Sequence, residues 1–403
     1  MVVLNLDHLT PQSVARFRPS ASTIVFAGLA IGGAAALAAL GCNSPASYAA
    51  LAVAFIVAVL LALSRERRLS LALGAVASLL LVFATVDAES ALLLRPHVAI
   101  GGRPVSLIER DPLLGYRPRP GVRATLSLDR FGKEIYRSVY TIDADGFRLT
   151  RGGRAGAVDT TVFLGDSYTF GDGLDDQDTL PQQFAVARGL HDKVINTAFS
   201  GYGTHQVLRL LQSGRLDGRL GSGRRSFIYL VIDEHLRRIE GRAPTDWMGT
   251  PHFELDGPSV RYVGPYYPGP GGLLTRLLPD SALMIAIGNA FMIEPKAQST
   301  QLFGAMVQEA QRIVQQRYRG RLLIVLWDEP LLLDKGAPDR SRRRAALTDR
   351  IAQELSGRGV PYVRVSQLIP DYRAHMSDYA IAGNGHPSAA LNRRLALALA
   401  QRP

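Results

Sequence analysis

Three long apolar runs near the start of the chain restrict its fold more than any other feature. None contains a charged residue, and each is close to the roughly 17–25 residues that a helix needs to cross the hydrocarbon core of a bilayer. The sequence therefore predicts three transmembrane helices, at about 22–41, 48–64 and 69–86. The alternative is a buried helical hairpin of a soluble protein, which is disfavoured because three successive uncharged runs of this length are unusual in soluble cores.

The basic residues that flank these runs predict their orientation. Arg16 and Arg18 precede the first run and RERR at 65–68 separates the second from the third, whereas the first loop, CNSPAS at 42–47, is uncharged. By the positive-inside rule, the N-terminus and the second loop are cytoplasmic, and the chain from about Asp87 onward lies outside the cytoplasm. We therefore expect a multi-pass protein of the inner (cytoplasmic) membrane whose later residues are periplasmic or otherwise extracytoplasmic. A cleaved signal peptide is less consistent, because the first run starts late and two more follow.

The charge and the cysteine content exclude several classes of function. Only four of the 46 basic residues are lysines, so the net charge of +11 comes almost wholly from arginine. The arginines are scattered and no nucleic-acid-binding signature is present, so we expect no nucleic-acid partner. The single cysteine, Cys42, excludes an internal disulfide and a cysteine-based zinc cluster. Its setting is faintly similar to a lipoprotein cleavage site, but Ala39 replaces the usual leucine, and an ordinary membrane-interface cysteine is favoured.

A strand-rich segment follows the apolar runs. Leu126, Leu128 and Ile135 stand among polar residues on either side of DRFGKE, which predicts a hairpin that turns near Gly132. DADG at 143–146 predicts a second turn. Three regions are therefore predicted: a membrane module at 1–90, a strand-rich linker region at 91–157, and a catalytic domain at 158–403 with an insertion at about 240–295.

From Val158 onward, predicted strands alternate with predicted helices. This alternation is typical of a parallel sheet that helices cover on both faces. The predicted strands are 160–165, 193–199, 226–233, 321–329 and 361–366. The predicted helices are 179–190, 204–214, one capped near Ser299, 340–355 and 388–400.

Residues that suit acyl transfer stand at the ends of these strands. Ser167 follows the first strand, Gly201 and Gly203 follow the second, and His386 directly precedes the last helix. Functional sites of parallel sheets gather beyond the carboxyl ends of the strands. A neutral serine needs a base within hydrogen-bonding reach and donors for the developing oxyanion. His386 is the candidate base, and Gly201 allows a backbone N–H to face the site without a side chain in the way.

Three blocks in this order resemble the GDSL or SGNH hydrolase family, in particular its membrane-anchored bacterial envelope members. GDS at 165–167 is similar to the nucleophile block, NTAFSGYGTHQ at 196–206 to the glycine block, and GNGHPSAALN at 383–392 to the histidine block. The similarity covers roughly residues 158–401. Three ordered blocks are far more specific than one motif.

The resemblance implies a fold and a set of roles. It implies a flavodoxin-like three-layer α/β/α sandwich, Ser167 as nucleophile, His386 as general base, and the backbone N–H groups of Ser167 and Gly201 as oxyanion donors. It implies no cofactor.

The chain departs from the family pattern before the histidine. Where the family usually has an aspartate, this chain has Gly383 and Asn384. Asparagine can accept a hydrogen bond from the imidazole and orient it, but it cannot stabilise imidazolium as a carboxylate would. Asn384 is therefore the expected orienting residue, and Asp328 or Glu329 is the alternative.

The chain also departs from the family pattern in a further block, which lies between the glycine block and the histidine block and usually has an asparagine side chain as oxyanion donor. Here the block reads IDEHLRR, and His235 is the side chain in it that we expect to donate. The alternative is that His235 is a structural histidine paired with Asp233 or Glu234.

Two further stretches need an interpretation. Asp172, Asp175 and Asp176 lack the spacing of a calcium loop, so we expect a solvated, turn-forming cluster and no metal site. The apolar stretch 273–293 is interrupted by charges and a proline, which favours an active-site lid or a surface helix over a fourth span.

Together these observations predict a membrane-anchored serine esterase that acts on an O-acylated envelope glycan or lipid through an acyl-serine intermediate. An O-acyltransferase that modifies an envelope polysaccharide, served by an acyl-donor membrane protein, shares the same first step. The third alternative is a non-catalytic glycan-binding or assembly protein on the same fold. The expected partners are the lipid bilayer and the acylated substrate, and the oligomeric state stays open.

Overall fold

The computed structural model divides the chain into two compact units, which are described separately. The first contains the helices up to Leu94, and the second contains the described residues from 97 onward. The structure describes residues 21–39, 45–63, 67–94, 97–100, 103–104, 107–130, 133–153, 159–241, 249–266, 295–329 and 338–402. The predicted lid or surface helix at 273–293 lies outside these residues.

Three helices make up the first unit. Ser47 Oγ donates a 2.8 Å hydrogen bond to Asp87 Oδ2, and both side chains are fully buried between the second and third helices. Large apolar side chains face outward instead, for example Leu71 and Leu79, which are 68% and 70% exposed. The helices are α1 (Ala21–Ala39), α2 (Pro45–Leu63) and α3 (Arg67–Leu94).

The three helices lie where the apolar runs predict them, but the apolar parts of α1 and α2 are shorter than a membrane span. In the described part of the chain only Arg68–Ala88, with a mean hydropathy of 2.4, is long and apolar enough to cross a bilayer. The apolar helices Thr23–Ala38 and Ser47–Leu61 are shorter. The structure therefore provides one candidate span where the sequence predicted three.

A five-stranded parallel sheet forms the centre of the second unit, as predicted. Counted along the chain, the five strands lie side by side in the order second, first, third, fourth, fifth. The order of the strands therefore reverses between the first and the third. This is the strand order of flavodoxin-like folds, whose sites lie at that reversal. The strands are β7 (Thr160–Leu164), β8 (Lys193–Asn196), β9 (Arg225–Val231), β12 (Arg321–Leu326) and β13 (Tyr362–Arg364).

Alternating side chains of the sheet enter two separate apolar clusters, one on each face. Along β9, Tyr229 and Val231 pack into one cluster and Ile228 and Leu230 into the other. This alternation gives the three layers. The first cluster includes residues of α6 (Thr204–Ser213), α8 (Ala297–Gln316) and α9 (Pro338–Gly357), and the second includes residues of α5 (Leu180–Ala187) and α11 (Ala389–Ala400). Short helices are α4 (Ser167–Phe170), α7 (Glu234–Arg238) and α10 (Val365–Leu368).

Antiparallel strands precede and interrupt this sheet. β5 and β6 pair as the predicted hairpin, and β1 and β2 extend it in the order β2-β1-β5-β6. A hairpin of β10 and β11 lies within the predicted insertion at about 240–295; its turn contains Gly257 at φ +59°. The strands are β1 (His97–Ile100), β2 (Arg103–Pro104), β3 (Ile108–Asp111), β4 (Gly115–Pro118), β5 (Arg123–Arg130), β6 (Lys133–Thr141), β10 (Pro251–Asp256) and β11 (Ser259–Pro265).

Arg148 joins the β5–β6 hairpin to the loop that follows Ser167. Its side chain is fully buried and stacks over the Tyr140 ring, with the guanidinium carbon 3.9 Å from the ring centroid. Its two Nη atoms donate to three carbonyl oxygens of that loop, those of Phe170, Gly171 and Leu174, at 2.6–3.0 Å. A buried cation held in this way fixes the loop against the hairpin.

The aspartates of the same loop complete this attachment. Asp175 Oδ1 accepts the Val139 N–H at 2.7 Å, and Asp176 Oδ1 accepts the Thr141 N–H at 3.0 Å. These two carboxylates therefore cap the edge of β6, and they are not the solvated cluster that the sequence suggested. Their spacing is set by the backbone donors of a strand that is distant in the sequence.

Replacing Arg148 with Met should lower the free energy of unfolding by about 3–5 kcal/mol, because three buried carbonyls and Asp176 lose their donor. The measurement is denaturant unfolding of the full chain in detergent, followed by tryptophan fluorescence. Arg137→Met is the control: this arginine of the same hairpin is 60% exposed and pairs with Glu134, so its loss should cost under about 1 kcal/mol. Equal losses in the two variants would contradict the attachment.

Candidate active site

Ser167 lies at the carboxyl end of the first strand of the central sheet. Gly165 leaves β7 at φ +154°, where a side chain would collide with Thr169, so only glycine fits this bend. Asp166 then caps the short helix α4 by accepting the Tyr168 N–H at 3.0 Å. The bend and the cap together place Ser167 as the first residue of α4, buried at 8% exposure.

His386 lies on a tight loop directly before α11. The Ile381 N–H donates to the His386 carbonyl at 2.8 Å, and the Gly385 N–H donates back to the Ile381 carbonyl at 2.9 Å. Ser388 caps α11 by accepting the Leu391 N–H. The imidazole packs edge-on against the ring of Tyr168, with 5.3 Å between ring centroids. The loop therefore holds the imidazole beside α4.

The structure brings Ser167, His386 and Asn384 together. His386 Nε2 lies 2.9 Å from Ser167 Oγ. On the other side of the ring, His386 Nδ1 forms a short hydrogen bond with Asn384 Oδ1, which also accepts the His386 backbone N–H at 3.1 Å. A serine, a histidine and an orienting acceptor are thus in line, in the arrangement of a catalytic triad.

The contacts of the imidazole define its tautomer. Asn384 Oδ1 is an acceptor only, so the proton of the neutral ring is on Nδ1. Nε2 then presents its lone pair to the Ser167 hydroxyl. This is the state in which a histidine can take a proton from serine.

Gly201 is on the loop after β8, and a hydrogen bond connects that loop to the nucleophile loop. The Ser200 hydroxyl donates to the Asp172 carboxylate at 2.7–2.8 Å, and the Asp172 N–H donates to the Ser167 carbonyl at 3.0 Å. Gly201 has φ +80°. In the described part of the chain, neither the Ser167 N–H nor the Gly201 N–H donates a hydrogen bond.

His235 is fully buried beside Tyr229 and Asp166. Its Nδ1 lies 3.0 Å from the Tyr229 hydroxyl and its Nε2 lies 3.5 Å from Asp166 Oδ2, and the side chain is fully buried. These contacts favour a structural histidine over an oxyanion donor. The partner is Asp166, whereas Asp233, which the sequence offered as the structural partner, forms a two-pronged ion pair with Arg344 at 2.6–2.8 Å.

Asp166 is a buried carboxylate that stays ionised. Burial opposes its charge, but Arg238, whose Nη1 lies 2.8 Å from Asp166 Oδ2, and His235 outweigh burial and hold the pKa of Asp166 well below its usual range. The capping interaction with Tyr168 adds to this effect. Asp166 is thus a fixed negative charge behind the serine.

Asp172 is the carboxylate whose charge acts on His386. Burial raises the pKa of Asp172 above its ordinary value, and the charge of His386 and the hydrogen bond from Ser200 offset part of that rise. The carboxyl group of Asp172 is thus within electrostatic range of the imidazole. It acts through space, because the direct acceptor of the ring N–H is Asn384.

The two alternative orienting carboxylates have other partners. Asp328 accepts the Ser366 N–H at 2.9 Å and the Ser366 hydroxyl at 2.5 Å. Glu329 pairs with Arg373 at 3.1 Å. The acceptor that the structure places on His386 is therefore Asn384. Among the residues that the structure describes, no group of three or more His, Cys, Asp or Glu could hold a metal ion.

Sequence reasoning missed Tyr116, Arg148 and Arg238, which hold the loops of the site. Arg238 was within reach, because it follows His235 by three residues on a helix and therefore shares its face. Tyr116 lies in the stretch DPLLGYRPRPG, and nothing in its spacing indicates a contact with a loop more than 80 residues later. Arg148 is one of many arginines and carries no local signal.

Comparisons with known proteins give distant structural neighbours only. No protein-family model matches the sequence, and no curated protein matches it. Solved structures that match include a lipolytic protein of the G-D-S-L family from Desulfitobacterium hafniense (10% identity, 60% of this chain and 98% of that chain, TM-score 0.34). A lipase/acylhydrolase from Enterococcus faecalis matches at 13% identity over 60% and 94% of the two chains (TM-score 0.35).

The acetylxylan esterase Axe2 from Geobacillus stearothermophilus also matches, at 12% identity over 62% of this chain and 94% of that chain (TM-score 0.33). These neighbours are GDSL-type and related esterases, that is, serine hydrolases, the group that the three sequence blocks resemble. Likeness at these identities and TM-scores supports no statement about the chemistry of this chain, which rests on the geometry of its own residues.

His205, behind the site, should make the fold sensitive to acid. Burial, reinforced by the charges of Arg238 and His235, lowers the pKa of His205 to about 3. A histidine with a depressed pKa stabilises the fold above about pH 6.5, and this stability is lost as the pH falls toward 3. The loss of unfolding free energy between about pH 7 and pH 4.5 should be about 2–3 kcal/mol smaller in His205→Leu than in the wild type.

The measurement is denaturant unfolding of both proteins at the two pH values. His191→Leu is the control, because His191 is exposed and its loss should leave the pH dependence unchanged. Parallel pH dependence in wild type and His205→Leu would show that His205 is not a buried neutral group.

Proposed function

We propose that this protein is a serine esterase of the SGNH type that acts on an O-acylated glycan or lipid of the cell envelope. The observation that carries the proposal is the 2.9 Å contact between Ser167 Oγ and His386 Nε2, with the other ring nitrogen held by Asn384. A hydroxyl, a base with its lone pair aimed at that hydroxyl, and a group that orients the base are the requirements for a nucleophilic serine.

The first half of the reaction forms an acyl-enzyme. Ser167 Oγ attacks the carbonyl carbon of the ester while its proton passes to His386 Nε2. The resulting oxyanion lies against the N–H groups of Ser167 and Gly201. When the tetrahedral intermediate collapses, the bond to the alcohol oxygen breaks and His386 returns the proton to that oxygen, so that a free alcohol leaves and Ser167 stays acylated.

The second half releases the acyl group. A water molecule attacks the acyl-serine, His386 takes the water proton, and the carboxylic acid leaves as Ser167 regains its hydrogen. If a sugar hydroxyl replaces water, the same steps transfer the acyl group to the sugar. The two activities therefore share all residues up to the acyl-enzyme, and acceptor binding and exclusion of water decide between them.

The surroundings of His386 favour modest turnover. Asn384 keeps the correct tautomer but offers no negative charge to the imidazolium that forms in each step. The carboxylate of Asp172 supplies part of that stabilisation from a distance. This asparagine is also the feature that motivates the non-catalytic alternative, a glycan-binding protein that keeps the fold.

We further propose that the N-terminal helices anchor the enzyme in the cytoplasmic membrane, with the α/β unit on the extracytoplasmic side. The support is the candidate span Arg68–Ala88, the outward-facing apolar side chains of the helices, and the uncharged first loop against the basic second loop. Three spans in all, with the two shorter helices crossing a locally thinned bilayer, give the odd number that this topology needs. An anchor of this kind suits a substrate at the membrane surface and an acyl-donor membrane protein as partner.

A fluorophosphonate probe tests the nucleophile. The wild type should be labelled at one serine, Ser167→Ala should not be labelled, and His386→Ala should be labelled at least about 10²-fold more slowly, because the base is lost. Ser259→Ala is the control, because this exposed serine donates to the Asp256 carbonyl in the β10–β11 hairpin and its loss should leave labelling of Ser167 in place. An unlabelled wild type would favour the binding protein and would overturn the esterase proposal.

The topology makes a separate prediction. A reporter enzyme that is active only in the periplasm, fused after Pro403, should be active, and the same reporter fused after Leu63 should be inactive because the second loop is cytoplasmic. A fusion in the first loop, after Ser44, serves as the control with the opposite sign. Activity of the Leu63 fusion or inactivity of the Pro403 fusion would contradict the three-span arrangement.

A further inference from the structure

The carbonyl group of Ser200 is held from the strand-rich segment. The Tyr116 hydroxyl, on β4, donates a 2.9 Å hydrogen bond to the Ser200 carbonyl oxygen. That carbonyl and the Gly201 N–H belong to one planar trans peptide group, in which they point in opposite directions. A hydroxyl that fixes the carbonyl therefore also fixes the direction of the Gly201 N–H.

A second carbonyl of the same turn, that of Tyr202, is held by a different side chain. Arg238 Nη1 donates to the Tyr202 carbonyl oxygen at 2.5 Å and to Asp166 Oδ2 at 2.8 Å. Asp166 in turn caps α4 at the residue before Ser167. One guanidinium thus connects the segment that carries the Gly201 N–H to the segment that carries the Ser167 N–H.

These contacts lie in a rigid setting. Tyr116 is fully buried, its ring packs edge-on against Tyr202 with 5.3 Å between centroids, and its carbonyl accepts the Tyr202 hydroxyl at 2.9 Å. The Arg238 side chain is 15% exposed, and the carboxylate it binds is fully buried. Both side chains thus pack against the turn whose carbonyls they hold.

The site needs this rigidity because it has few donors. The block IDEHLRR offers no asparagine, and His235, the side chain expected to replace it, is fully buried between Tyr229 and Asp166. Two backbone N–H groups then bear the developing negative charge, and their stabilisation depends steeply on where they point.

We propose that Tyr116 and Arg238 are positioning residues of the oxyanion hole: they hold the Ser200–Gly201–Tyr202 turn from two sides so that the Gly201 N–H and the Ser167 N–H converge on one point. This inference rests on the proposed esterase function. Neither residue touches the substrate or the reacting atoms. Their effect is on the transition state, because the oxyanion exists only there.

Tyr116→Phe tests the proposal with the loss of one oxygen atom. With p-nitrophenyl acetate as the probe substrate, kcat should fall about tenfold with KM little changed, less than the 10²–10³-fold that loss of an oxyanion donor itself costs. Tyr318→Phe is the matched control: it also removes a buried hydroxyl that donates to a backbone carbonyl at 2.9 Å, that of Leu211, away from the site. Its kcat should stay within about twofold of the wild type.

A transition-state analogue separates positioning from general loosening. A trifluoromethyl ketone adds to the serine and places an oxyanion in the hole, so its inhibition constant should rise in Tyr116→Phe by the same factor by which kcat/KM falls. A merely structural role would lower the amount of active protein and leave the inhibition constant of the remaining sites unchanged. An unchanged inhibition constant, or equal kcat in Tyr116→Phe and Tyr318→Phe, would overturn the proposal.

Arg238 gives an independent arm of the experiment. Arg238→Met should reduce kcat more than Tyr116→Phe does, and Arg238→Lys, which keeps a cation and donors, should recover part of the loss. Arg237→Met is the control, because the neighbouring arginine pairs with Glu234 and does not contact the turn. Failure of the proposed function would appear as no labelling and no turnover in the wild type, whereas failure of this inference would leave an active wild type and insensitive variants.

Discussion

The contact between Ser167 and His386 joins residues that lie 219 positions apart, so it forms only when the fold brings two distant loops together. Local secondary structure alone cannot bring the two side chains together. The central sheet solves this problem, because Ser167 leaves the first strand at the point where the strand order reverses, and His386 precedes the helix that packs beside α5 on the same face. A chemical site of this kind therefore depends on the formation of the whole parallel sheet, with its many contacts between distant segments.

The strand-rich segment is part of the site as well as a connection to it. Arg148 binds three carbonyls of the nucleophile loop, and Tyr116 binds a carbonyl of the glycine loop. A side chain at Gly383 of the histidine loop would collide with Ile135 of β6, and one at Gly173 of the nucleophile loop would collide with Ile381 and crowd Tyr136 of β6. The antiparallel hairpin and the strands next to it thus hold all three loops of the site. In FGDGLDD, glycine allows the close approach to the hairpin and aspartate accepts hydrogen bonds from it.

The parts of this account that the sequence could predict are those encoded by local periodicity or by short blocks. The alternation of apolar strands and amphipathic helices predicted all five parallel strands and the five long helices around them within a few residues. The blocks predicted which serine and which histidine approach one another. Both signals are local, so they survive without knowledge of the tertiary structure.

The parts that escaped prediction depend on partners that are distant in the sequence. The sequence suggests that Asp175 and Asp176 are solvated turn residues, but in the fold they accept hydrogen bonds from backbone N–H groups of β6. In the sequence His235 looks free to donate, but in the fold it is fully buried beside Asp166 and Tyr229. In each case the missing information was tertiary.

Acid quenching of the protein during turnover of an acetyl ester, followed by peptide mapping, tests the central claim most directly. If Ser167 is the nucleophile and His386 its base, the peptide that contains Ser167 gains the mass of one acetyl group, and the His386→Ala variant shows no gain on the same time scale. Acetyl found on any other residue, or turnover without a covalent adduct in the wild type, would contradict the claim.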